Sequence, residues 1–88
     1  MTERLEAAGI RRRGVVFGRG FKSHWELRAS LGDAEPNRSR PGDEEGFITS
    51  TGRLVSRRDA IAIGIAAGQL DRQWLGAHRA LLSSDINW

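Results

Sequence analysis

Three places in this 88-residue chain put cationic or hydroxyl side chains beside a turn. Arg19 and Lys22 lie between Gly18 and Ser23, Thr49-Ser50-Thr51 runs into Gly52-Arg53, and Arg57 and Arg58 follow Ser56. The chemistry they share is anion binding. A guanidinium grips phosphate or carboxylate through two parallel N–H bonds, an ammonium adds a point charge, and a hydroxyl donates one bond. Ser23 and Ser56 stand where helices begin, and a helix start offers free N–H groups and the positive end of the dipole. If the fold gathers Arg19, Lys22, His24, Thr49, Ser50, Thr51, Arg53, Arg57 and Arg58, they make a phosphate pocket. If it does not, the serines are ordinary caps and the arginines a solvated surface.

Catalytic chemistry has less support. His24 and His78 are the only histidines, and neither has a partner at metal-ligand spacing. The chain has no cysteine, which excludes disulfides, thiolate zinc sites and cysteine nucleophiles. No serine sits in a Gly-x-Ser-x-Gly elbow. Gly18-Arg19-Gly20 carries two glycines of a dinucleotide loop, but position 23, where the third belongs, is Ser. No catalytic set, metal or cofactor is expected, and the chain reads as a binder sooner than an enzyme.

Composition narrows the class. A hydrophobic share of 39% suits one globular core and no second one. A domain this short buries only about 60–65% of its unfolded surface, so a homo-oligomer is expected to supplement the core. The net charge is +3, and all 14 basic residues are arginine except Lys22. That balance excludes an acidic DNA mimic and fits an anion-binding surface; a genome rich in G and C would yield the same arginine bias. Arg11-Arg12-Arg13 offers a nucleic-acid patch as an alternative, without interleaved aromatics. No apolar run approaches the roughly 20 residues of a membrane span, and the start of the chain lacks the apolar core of a secretion signal, so a cytoplasmic location is expected.

The elements that must position these groups follow from local patterns. Residues 2–9 read as a short helix, capped by Thr2 with Leu5 and Ala8 on one face. Val15-Val16-Phe17 is a brief strand between Gly14 and Gly18. Ser23 and Glu26 are spaced as a capping box for a helix ending at Gly32. Residues 33–45, acidic and holding both prolines, form a flexible polar loop. Residues 46–49 and 53–56 flank Ser50-Thr51-Gly52 as a hairpin. Ser56 and Asp59 then open a helix with a wide apolar stripe, in which Gly64 and Gly68 permit close approach to a sheet. Residues 72–82 suit a further helix, and Trp88 suits packing against the domain. The expected architecture is a single α+β domain over 1–88, a small two-layer sandwich of about three strands with two main helices on one face. The other face then needs the tail or a second copy of the chain.

The run Gly46-Phe47-Ile48-Thr49-Ser50-Thr51-Gly52-Arg53-Leu54-Val55-Ser56-Arg57-Arg58-Asp59-Ala60, with Ala67-Gly68-Gln69 beyond it, resembles a segment of small proteins from tailed phages and prophages. That segment has the form Gly-Phe-[Ile/Leu/Val]-Thr-Ser-x-Gly-Arg-Phe-Val-x-Arg-x-[Glu/Asp]-Ala, then Ala-Gly-Gln and an acidic tail ending in Trp. Leu54 replaces its usual Phe, and Ser84 and Asn87 depart from its tail. Gly18 and the His24-x-Glu26 pair resemble its upstream motif. The resemblance implies a phage context, a host-cell cytoplasmic setting and no particular activity. In that context the expected function is a small accessory, anti-defence binding protein that sequesters a phosphorylated nucleotide-type ligand. A module that blocks a host defence protein, or a nucleic-acid binder, are the alternatives.

Overall fold

A computed structural model describes residues 2–88. Four strands form one antiparallel sheet in the order β2-β1-β3-β4, with β1 at Leu5–Arg12, β2 at Val15–Phe17, β3 at Glu44–Thr49 and β4 at Leu54–Ser56. Helices α1 (His24–Ser30) and α2 (Arg57–Ala66) pack on one face, giving the expected α+β architecture with four strands where the sequence pattern predicts about three.

The additional strand is β1, where the sequence suggested a helix over 2–9. Leu-Glu-Ala-Ala suits a helix by propensity, but β1 is a central strand and its small residues answer a packing demand. Ala7, Ala8 and Ile10 are fully buried, and a Cβ at Gly9 would stand 2.6 Å from Leu54 Cδ1 and 2.9 Å from Ile48 Cγ1. The reverse of chain direction into β2 falls on Arg13 and Gly14, both with positive φ, as a two-residue hairpin turn requires.

Directly paired residues share a sheet face. Ala8, Phe47 and Val55 are paired in a row, as are Ala7, Ile48 and Leu54 on the opposite face. The first row meets the helices: Leu5, Phe47, Val55 and Ala60 are buried together with Leu70, Leu81 and Ile86. The tail residues Leu81 and Ile86 therefore complete the core on the helical side and do not cover the other face. Only Ala60 and Gly64 of α2 are buried, while Ile61, Ile63 and Ile65 lie half-buried at the margin of the core, so the wide stripe is not wholly enclosed.

Both helix starts form where the cap spacing placed them. Ser23 Oγ accepts from Glu26 N–H at 3.4 Å and Ser56 Oγ from Asp59 N–H at 3.0 Å. At its end, α2 closes with Gly68 N–H on Ile65 C=O and Gln69 N–H on Gly64 C=O, a Schellman arrangement that turns Gln69 back towards the sheet. Gly68 thus lies beyond the helix and does not share a packing face with Gly64. Beyond it the expected helix over 72–82 is replaced by two short 3-10 turns, Arg72–Gly76 and Ser83–Asp85. Gly76 and the need to bury Leu81 and Ile86 from an extended tail interrupt helical spacing there.

Candidate anion pocket at the hairpin end of the sheet

The β3–β4 hairpin tip and the β2–α1 connection reach the same end of the sheet, and β1 explains how. Register slips between Leu5 and Ala7, leaving Glu6 as a bulge. Gln69 compensates at the adjoining residue: its buried amide accepts from Leu5 N–H and donates to Leu5 C=O, both at 2.8 Å. One residue earlier, Arg4 N–H donates to Ser50 Oγ at 3.0 Å and Ser50 N–H to Arg4 C=O at 2.8 Å, which fastens the hairpin tip to the chain before β1.

On the other side of β1, Gly18 has φ +139, and a Cβ there would stand 2.0 Å from Ala8 O. Only glycine permits that approach, and it lets Phe21 C=O accept from Ala8 N–H at 2.7 Å. Arg19, Gly20 and Lys22 are thereby carried along β1 towards Thr49, Ser50, Thr51 and Gly52. Between them opens a cleft of about 640 Å³ that Arg4, Glu6 and Trp88 also line. Lys22 Nζ donates to Glu6 C=O and stands 4.8 Å over the Trp88 ring, and Arg4 donates to the Trp88 main-chain oxygen at 2.9 Å. Arg19 is exposed and makes no ion pair among the described residues.

Arg53 turns to an anion that the chain supplies. Its Nε and a terminal nitrogen each donate at 2.8 Å to the two carboxylate oxygens of Glu3. The Thr49 and Thr51 hydroxyls donate to Glu3 Oε2 as well. Hydrogen bonds from Arg53, Thr49 and Thr51, in that order, hold the Glu3 carboxyl well below the usual carboxylate range.

The remaining candidates lie elsewhere. His24 is buried, edge-on to Phe47 at 5.2 Å between ring centres, with Nε2 2.7 Å from Gly46 C=O. Burial first, and then the charge of Arg57, lowers its pKa, so the neutral ring donates Nε2–H to that carbonyl. Arg57 donates to Glu45 at 2.8 Å and to Leu81 C=O at 2.6 Å; Arg28 takes the other Glu45 oxygen at 2.7 Å. Burial alone would raise the Glu45 pKa, but Ser39, Arg57 and the charge of Arg28 outweigh it and keep the carboxyl below its ordinary value. Arg58 borders a separate groove with Ile61, Trp74 and Arg79. The two helix starts consequently do not share a pocket: Arg19, Lys22, Thr49, Ser50 and Thr51 converge, Arg53 adjoins them, and His24, Arg57 and Arg58 belong to other regions.

The arginine triplet also disperses. Arg11 pairs with Glu44 at 2.9 Å, Arg12 is clasped by Asp33 and Asp43 at 2.9 and 2.7 Å, and Arg13 occupies the turn. Sequence reasoning missed Glu3 and Arg4, which the helical reading of residues 2–9 set aside, and the role of Gln69. A polar amide following the closing glycine of α2 was the one signal for the last of these.

These features define a small α+β protein with a cationic cleft at one end of its sheet. The family model describing the phage T4 y16D protein matches residues 9–87, and the chain belongs to that family. Neither the curated proteins nor the solved structures contain a match to it. Among the described residues no helix is long and apolar enough to cross a membrane.

Proposed function

We propose that this protein is a non-enzymatic, phage-type accessory binding protein that holds a phosphorylated nucleotide-type ligand in the hairpin-end cleft. Sequestering such a molecule from a host defence pathway is the role this reading assigns. The observation that carries it is the convergence of Arg19 and Lys22 with the Thr49-Ser50-Thr51 tip, beside Trp88, around about 640 Å³ of space. Arg19, without an ion pair among the described residues, supplies a guanidinium for phosphate, the hydroxyls and tip backbone supply directional donors, and Trp88 offers an aromatic surface for a base. The volume falls within the range of small-molecule sites.

Thermal unfolding against cyclic di- and trinucleotides, ADP-ribose isomers, NAD and short DNA, at two salt concentrations, tests the proposal. A ligand at a hundred times its Kd stabilises the fold by about 2.7 kcal/mol, a rise on the order of 10 °C for a domain of this size. The expected result is a salt-tolerant shift with one nucleotide that Arg19→Ala removes. A shift with DNA alone that vanishes in salt, or none at all, overturns it.

A second reading has its own observation. Exposed Leu75 lies with Ile61 and Trp74 in a groove bordered by Arg57, Arg58 and Arg79, and Trp25 is exposed on α1. That groove suits an acidic, apolar protein segment such as part of a host defence complex. Protection of Trp74 from acrylamide quenching by an acidic partner peptide would favour it over the nucleotide reading.

A further inference from the structure

We infer that the clasp around Glu3 is a phosphate subsite, and that Glu3 occupies it as an internal stand-in which a ligand phosphate displaces. The inference takes the adjoining cleft to be a ligand site, as proposed above, and adds where a phosphate is held and what competes with it. Thr49 and Thr51 belong both to the cleft wall and to the Glu3 clasp, so the two spaces are contiguous.

The donor arithmetic favours a different occupant. Glu3 Oε2 receives the Thr49 hydroxyl, the Thr51 hydroxyl and Arg53 Nε, while Oε1 receives one Arg53 N–H. A carboxylate oxygen has two lone pairs, so three donors crowd one atom and a single donor meets the other. A terminal phosphate presents three oxygens: two can take the guanidinium fork and the third the hydroxyls. The set is built for an anion with more acceptor oxygens than Glu3 has.

Exchange is also structurally cheap. The main chain at Arg4 is fastened to Ser50, so Glu3 can rotate its side chain outward without disturbing β1. Arg53 is 60% exposed and the Glu3 side chain 22%, which leaves a solvent route to the guanidinium. Once Glu3 swings away, Arg53 joins Arg19 as a cation free to meet the ligand.

Titration calorimetry with sodium pyrophosphate on the whole chain tests this. Glu3→Gln removes the competing charge and is expected to tighten pyrophosphate binding at least tenfold. Adding Arg53→Ala to Glu3→Gln is expected to abolish that gain. In the unmodified protein, pyrophosphate should move the Glu3 side-chain carboxyl carbon resonance in step with the Thr51 amide, a readout that needs no variant to fold. Unchanged or weaker binding in Glu3→Gln, or a Glu3 resonance that stays fixed under saturating pyrophosphate, overturns the inference. A silent nucleotide panel with the Glu3→Gln gain intact would remove the nucleotide reading and leave the subsite standing. Arg19-dependent nucleotide binding with no such gain would do the reverse.

Discussion

The two ends of the sheet use the same residue types in opposite ways. At the end where β1 finishes and β3 begins, the cations other than the turn residue Arg13 are held by internal partners. Arg12 is locked between Asp33 and Asp43, Arg28 and Arg57 share Glu45, and the neutral His24 caps Gly46 C=O. At the hairpin end, Arg19 is unpaired among the described residues, Lys22 rests on a carbonyl and an aromatic face, and Arg53 holds a carboxylate that is partly open to solvent. Burial accounts for the contrast. Asp33 and Asp43 are 2% and 4% exposed in their side chains, so removing any partner there strands a charge away from water. The hairpin end leaves Arg19, Lys22 and Arg53 open to solvent. An arginine count alone therefore says nothing about a binding surface; which acids the fold delivers to each arginine does.

The comparison can be broken most severely at Glu45. Glu45→Ala leaves Arg28 and Arg57 facing one another without their shared anion, and a loss of about 3 kcal/mol is expected in urea unfolding. A loss under 1 kcal/mol would mean that this end is no more consolidated than the other. Gln69→Leu should follow at about 2 kcal/mol, because Leu5 N–H and C=O lose their buried partner beside the bulge. Hydrogen exchange should then show the Leu5 amide opening faster than that of Ile10.

The pH dependence sharpens the contrast further. The folded-state pKa of His24 is lowered, so its contribution is complete above the ordinary value of 6.5 and is lost as pH falls through it, where the unfolded chain binds the proton more readily. His24→Gln is expected to flatten the decline in Tm between pH 7.5 and 5; an unchanged slope would remove His24 from the consolidated end. Glu3 acts in a more acidic window. Its lowered pKa favours the folded state above the ordinary carboxylate value of 4.5, and that contribution declines as pH falls below it. The smallest stability effect belongs to Arg19→Ala, expected within about 0.5 kcal/mol of the unmodified protein by urea unfolding. A larger loss would show that Arg19 braces the fold, contrary to its place in the open end.

Much of this architecture was legible locally. The caps at Ser23 and Ser56, the hairpin around Gly52, the strand at Val15–Phe17 and the α+β class all follow from windows of a few residues. Half of the candidate site was legible in the same way, since Thr49, Ser50 and Thr51 announce themselves as a hydroxyl-bearing turn and Arg19 and Lys22 as a cationic connection. Glu3 and Arg4 were not, because Leu-Glu-Ala-Ala has helical propensity and nothing nearby reveals that Gly9 must fit beneath Leu54 and Ile48.

What the sequence by itself determined is the placement of turns and caps, a chain with two histidines and no cysteine, and an arginine-rich surplus of positive charge. What only the tertiary structure decided is which of those arginines are spent. Turn and cap chemistry acts between neighbours, within reach of a single side chain, whereas Glu3 and Arg53 stand 50 residues apart and meet only because β1 pairs with β3 in one register. The β3–β4 pairing of Gly46 with Ser56 sends Arg57 to Glu45, and the close approach of Gly18 to β1 leaves Arg19 beside the hairpin tip. Charge pairing over such separations is a property of the sheet's register, and no local pattern encodes it.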